Sequence, residues 1–177
     1  MSVLLAAVPH LALAQSQRVQ KFEGELRAGF TGPLGGFRSA NSLMGATLGW
    51  ELRYNFTESP WDCGLMVDVS SARWEFEPQS GTAQINRTPA MALTGGYNFR
   101  QGKKVNPFVG AGIGVAFCDV LDFEYDAWPG TSLYFAPRVG VELFHHLRLT
   151  SQLNISKKGY HNLAVTLGLV IGGRPKK

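Results

Sequence analysis

Apolar positions and small or polar positions alternate with a period of two along almost the whole chain after residue 20. In residues 43–56 seven apolar side chains, Met44, Ala46, Leu48, Trp50, Leu52, Tyr54 and Phe56, share one parity. Gly45, Thr47, Gly49, Glu51, Arg53 and Asn55 hold the other. That period belongs to an extended strand, whose successive side chains point to opposite faces. The pattern recurs in residues 21–30, 61–70, 89–99, 106–117, 132–144, 147–156 and 162–172. It predicts eight strands of about ten residues each, and no helix. After Trp61, Cys63, Leu65, Val67 and Val69 the apolar parity changes to Ala72, Trp74 and Phe76, which predicts a β-bulge near Ser70 and Ser71.

The connections alternate in length. Thr31–Ser42, Glu77–Thr88, Asp119–Thr131 and Lys157–His161 are the first, third, fifth and seventh. Between them lie Thr57–Pro60, Arg100–Asn106 and the pair His145 and His146. Links mostly long on one end and short on the other describe an up-and-down antiparallel meander. No linker or change of composition divides it, so residues 15–177 read as one domain.

Alternation alone does not say which face is inside. A soluble barrel of the lipocalin type encloses its apolar face around a ligand, whereas a transmembrane barrel turns that face to lipid. Three features favour the second. The polar face is rich in glycine, at Gly45, Gly49, Gly64, Gly96, Gly110, Gly112, Gly114, Gly140 and Gly168, as a narrow interior requires. It carries both signs of charge, at Glu23, Glu25, Arg27, Glu51, Arg53, Asp68, Arg138, Glu142 and Arg148, which pair when packed together. Aromatic residues gather at both ends of the strands. Trp50, Tyr54, Phe56, Trp61, Tyr97, Phe99 and Phe108 are assigned to the short turns, and Phe30, Trp74, Phe117, Trp128 and Phe135 to the longer links. Two aromatic bands around an aliphatic middle match the two surfaces of a bilayer. The expected fold is all-β, an eight-stranded antiparallel up-and-down transmembrane β-barrel.

The amino terminus fits that location. Val3 to Ala14 is an apolar run that ends in Ala12-Leu13-Ala14 and is followed by Gln15-Ser16-Gln17-Arg18, the form of a signal peptide cleaved after residue 14. No lysine or arginine precedes the run, and it is too short to span a bilayer as a helix.

These stretches, NPFVGAGIGVAF (106–117) and FAPRVGVELF (135–144) among them, resemble the small outer-membrane β-barrel family of Gram-negative bacteria, which includes the OmpA membrane domain and OmpX. The resemblance covers nearly all of residues 21–172 and implies architecture and outer-membrane residence more than activity. Many members end the last strand on a terminal aromatic; here it ends near Ile171 and the tail GGRPKK follows.

Composition adds little chemistry. Of 177 residues 45% are hydrophobic and 17% charged, with a net charge of +4 and no long run of lysine or arginine, so no nucleic-acid partner is expected. Cys63 and Cys118 fall on opposite faces and are not expected to pair. His145 and His146 lack a third ligand in sequence, and the acidic stretch with Asp119, Asp122, Glu124 and Asp126 lacks the spacing of a calcium loop. Ser151, Ser156 and His161 are the residues an outer-membrane lipid A enzyme reading would use, without the close pairing such enzymes show. Phe123, Tyr125 and Trp128 are suited to an external partner, and Lys157 and Lys158 to lipopolysaccharide phosphates. The expectation is therefore a monomeric outer-membrane barrel with a structural or surface-interaction role. It has no open pore, catalytic centre, cofactor or metal. Its partners are outer-membrane lipid, lipopolysaccharide and an extracellular partner met through the longer loops. A soluble lipocalin-like binding barrel and a lipid A-modifying enzyme are the alternatives.

Overall fold

The computed structural model describes residues 19–35, 40–77, 82–121 and 127–172; the side chains of residues 76–77, 82–83, 121 and 127–129 are not described. The residues of the expected signal peptide, of the acidic stretch 122–126 and of the tail after Gly172 lie outside them, as do the side chains of Phe76 and Trp128. The chain forms eight strands: β1 Phe22–Pro33, β2 Gly45–Asn55, β3 Trp61–Glu77, β4 Thr82–Asn98, β5 Val105–Leu121, β6 Ala127–Leu143, β7 Leu147–Asn154 and β8 Asn162–Gly172. A short piece, Asn41–Leu43, leads into β2. Every strand pairs antiparallel with its neighbours in sequence, and β1 pairs with β8, which closes the barrel. Closure leaves no bare sheet edge along the paired length, and in hydrocarbon such an edge is not tolerated.

The inward and outward parities are those the alternation predicts. Leu26, Leu48, Leu93, Ile113, Val139, Leu167 and Leu169 are exposed on the outer surface. All nine charged residues assigned to the inner face are buried. Glycine makes this possible in a narrow lumen. A Cβ on Gly168 would run into the Glu25 carboxylate, and one on Gly49 into that of Asp68.

The strands differ from expectation in length. β3, β4, β5 and β6 each run for 17 residues. Pairing of β3 with β4 continues to Glu77↔Thr82, and that of β5 with β6 to Val120↔Ala127. Much of two stretches expected to be loops is therefore a four-stranded sheet that rises past β7, which ends at Asn154. Outside lipid the outward face of a strand meets water, so the apolar parity that marks the lower part has no reason to persist.

The expected bulge is displaced. β3 keeps one phase from Trp61 to Glu75: Asp62, Met66, Asp68, Ser70, Ala72 and Trp74 all point inward. The extra residue sits on the facing strand, between Leu43↔Arg73 and Thr47↔Ser70. Ser71 fits this bulge, accepting from the Ala46 amide at 2.9 Å and donating to the Ala46 carbonyl at 3.1 Å. A second irregularity lies between Glu75 and Glu77. Ala72 and Trp74 are thus inside, against the reading from apolar parity.

The aromatic bands are partly as expected. Around the short turns Phe22, Tyr54 and Phe56 make edge-on contacts, as do Trp61, Tyr97 and Phe99. Phe30, Phe117 and Phe135 are exposed at the other end. Trp50 is outward at mid-strand, where it faces Leu26 and Val67. Phe108 is not part of a band: it points inward, and the Arg148 guanidinium lies 4.0 Å over its ring. Cys63 is outward and exposed, and Cys118 inward and buried.

Candidate functional site

Two features stand out as built rather than merely compact: the charged lumen, and the cap at its long-loop mouth. Glu51 is the centre of the lumen. Arg138 reaches it with both terminal nitrogens, at 2.5 and 2.7 Å, and the Thr94 hydroxyl donates at 2.7 Å. Arg53 and Arg27 stand 3.7 and 3.6 Å from the same carboxylate. Arg53 also pairs with Glu25 at 2.5 Å and Glu23 at 3.1 Å, and Arg27 with Asp68 at 3.2 Å. Arg148 bridges Glu25 and Glu142 at 3.5 and 3.4 Å. These contacts join β1, β2, β3, β4, β6 and β7 across the barrel. Buried charges are tolerated because each has an opposite charge beside it; one left alone would be costly.

Neutral amides flank this layer on both sides. Towards the short turns Asn98 donates to Asp62 at 2.6 Å, Asn106 to Asn98 at 3.0 Å and Asn55 to Glu23 at 2.8 Å. Gln101, from the turn between β4 and β5, folds under the barrel and donates to Asn55 at 3.1 Å. Towards the long links Gln152 donates to Asp68 at 2.9 Å, the Tyr134 hydroxyl to Asn154 at 2.6 Å, and Asn154 to Asn162 at 2.7 Å.

The connection between β7 and β8 closes the mouth. Its Gly159 carbonyl accepts from Trp74 Nε1 at 3.0 Å and from Asn86 Nδ2 at 2.9 Å. Tyr160 is buried beside it, and that burial, with Cys118 and Asp119 nearby, pushes its hydroxyl up to about 12. Side chains or backbone thus occupy the interior from turn to mouth. An apolar ligand chamber of the lipocalin kind is ruled out by this lumen.

No protein-family model matches the chain, and no curated protein matches it. Among solved structures it is similar to Neisserial surface protein A (NspA), with a TM-score of 0.58 and 14% identity over 86% of this chain and 97% of that one. Ail, the attachment invasion locus protein of Yersinia pestis, aligns with a TM-score of 0.47 and 15% identity over 88% of this chain and 97% of that one. The N-terminal β-barrel domain of Pseudomonas aeruginosa OprF aligns with a TM-score of 0.47 and 11% identity, over 88% and 99%. The chain has the fold of a small outer-membrane β-barrel. The likeness to NspA carries that statement together with the inverted distribution of residues, apolar outside and charged within.

Of the residues weighed for catalysis, Ser156 and His161 are brought together through the Ser156 backbone amide, and Ser151 stands apart from them. Ser151 is on the lipid-facing surface between Val139 and Val165. His161 Nδ1 accepts the Ser156 amide at 3.1 Å inside the β7–β8 connection, and the His161 carbonyl accepts from Leu34 at 2.9 Å. His145 and His146 occupy the β6–β7 turn, where Phe144 and His145 take φ values of 55° and 64°. Asp119 is paired with Arg87 at 2.5 Å, and Lys157 and Lys158 are exposed at the tip of the cap. Among the described residues no group of acids, histidines and cysteines is arranged to hold a metal.

Asp62 as a buried charge, the inward Phe108 and Trp74, and the cap are not among the features expected from the sequence. The signal for Asp62 was present, since it shares the inward parity of Asp68. The cap had none, because its hydrogen bonds join Gly159 to residues more than 70 positions away.

Proposed function

We propose that this chain is a monomeric outer-membrane barrel that serves the envelope as a structural element and meets extracellular partners through the sheet and links at its long end. The observation that carries the reading is the inversion itself. An outer surface of leucine, valine, isoleucine and phenylalanine around a core of carboxylates and guanidiniums is stable only where the outside is hydrocarbon. Residues 1–14 serve as the signal peptide that takes residues 15–177 to that membrane. The filled lumen supports a barrel with no open pore, and the separation of Ser151 from His161 supports one with no catalytic centre. The sheet formed by β3, β4, β5 and β6 beyond the lipid belt is the surface for an extracellular partner, with Lys157 and Lys158 facing lipopolysaccharide.

The test is fractionation of cells that express the chain. It is expected in the outer-membrane fraction, released only by detergent, migrating faster on a gel before boiling than after, with Gln15 as its first residue. Release by salt or alkali without detergent would refute the membrane reading. Removing the chain is expected to sensitise cells to detergents while leaving the lipid A profile unchanged. An altered lipid A profile would favour the enzyme instead.

A further inference from the structure

Of the prolines inside strands among the described residues, Pro89 and Pro137 fall where the missing donor coincides with a break in pairing. Phe135 of β6 and Ile155 exchange both backbone hydrogen bonds, each 2.9 Å long. Two residues along β6 the next donating position falls on Pro137, opposite Leu153, and Pro137 has no N–H. Pairing accordingly passes from Phe135↔Ile155 straight to Arg138↔Gln152. The other flank repeats this. Phe99 donates to Pro107 at 2.9 Å, which turns the odd-numbered residues of β4 towards β5. Pro89 therefore faces Phe117 without a donor, and pairing passes from Arg87↔Asp119 to Ala90↔Ala116.

The two gaps flank one hairpin. β5 and β6 stay paired with each other without a break from Val105↔Leu143 to Cys118↔Gly130. We propose that the described part of this hairpin beyond the gaps, residues 118–121 and 127–135, is a flap, able to swing away from β4 and β7 while the charged barrel below stays closed. Beyond the gaps it is held by the pairs Phe135↔Ile155 and Ile85↔Leu121 to Arg87↔Asp119, by packing of Cys118 and Tyr134 in one cluster with Met66 and Tyr160, and by two polar side-chain contacts. On the β7 side the Tyr134 hydroxyl donates to Asn154 at 2.6 Å and accepts from Gln152 at 3.2 Å. On the β4 side stands the part-exposed pair Arg87 and Asp119. The movement uncovers the inner face of the flap, where Cys118 is fully buried when it is shut.

Cys118 is therefore the reporter. In the full chain carrying Cys63→Ala, folded in detergent micelles, its reaction with a water-soluble maleimide is timed under native conditions. Labelling is expected to outpace global unfolding. Pro137→Ala restores one donor and is expected to slow it about fivefold, and Tyr134→Phe to speed it by a similar factor. A labelling rate equal to the unfolding rate, or one that Pro137→Ala leaves unchanged, overturns the proposal. Should either variant fail to fold, hydrogen exchange on the unaltered chain decides. Amides of residues 117–121 and 131–135 exchanging ahead of those of 109–115 support the flap. Equal protection along the hairpin overturns it.

Discussion

The lower and upper parts of β3 are one continuous strand in two different media. From Trp61 to Val69 the outward side chains are apolar and the inward ones include Asp62 and Asp68. From Ser71 to Glu75 the outward ones are Ser71, Arg73 and Glu75, and the inward ones are Ala72 and Trp74. The pleat does not change; the surroundings do. Below, the outside is lipid and the inside a salt-bridged lumen. Above, the outside is water and the inside is an apolar and amide-lined cap. Hydrophobic parity reports which medium a face meets, and only through that which way it points.

Variants at matched positions sharpen this contrast, beginning with the largest effect. Glu51→Ala leaves the Arg138 fork and its neighbours without their shared carboxylate, and is expected to destabilise the barrel by about 3–5 kcal/mol in urea unfolding from micelles. Leu65→Arg, outward at mid-belt on β3, is expected to cost about 2–4 kcal/mol in vesicles. Glu75→Arg, outward on the same strand above the belt, is expected to stay within about 0.5 kcal/mol. Similar costs at both positions would break the distinction between the two parts. Gly168→Ala forces a Cβ against Glu25 and is expected to cost about 1–3 kcal/mol, whereas Gly32→Ala, with nothing within 4 Å of the added carbon, is expected to be near neutral. Trp74→Phe removes the donor to Gly159, and is expected to cost about 1 kcal/mol and to leave the lower barrel intact by gel mobility.

The barrel itself was legible because lipid favours apolar side chains at the outward positions of the belt. The charge layer was legible for the same reason, read on the opposite parity. Where the rule lapses, so did the reading. The lengths of β3, β4, β5 and β6 were underestimated because no apolar face is demanded above the belt. The bulge was put on β3 because Ala72 and Trp74 look like a slipped lipid face, while the real extra residue lies near Met44, Gly45 and Ala46, where the parity is undisturbed. Phe108 was assigned to an aromatic band because its parity partner on the inner face, Arg148, is 40 residues away. Of the candidate site residues, Ser151 and His161 are close in sequence, yet Ser151 is on the outer face of β7 and His161 is in the connection that follows it.

The most direct test of the inverted barrel is a nitroxide placed in turn at positions 63, 65, 67, 69, 71, 73, 74 and 75 of β3 in vesicles. Collision with oxygen dissolved in the bilayer is expected at 63 to 69, and collision with a water-soluble paramagnetic complex at 73 and 75, with 74 shielded from both. Access to water along the whole outward face, or exposure of 74 in place of 73, would contradict it.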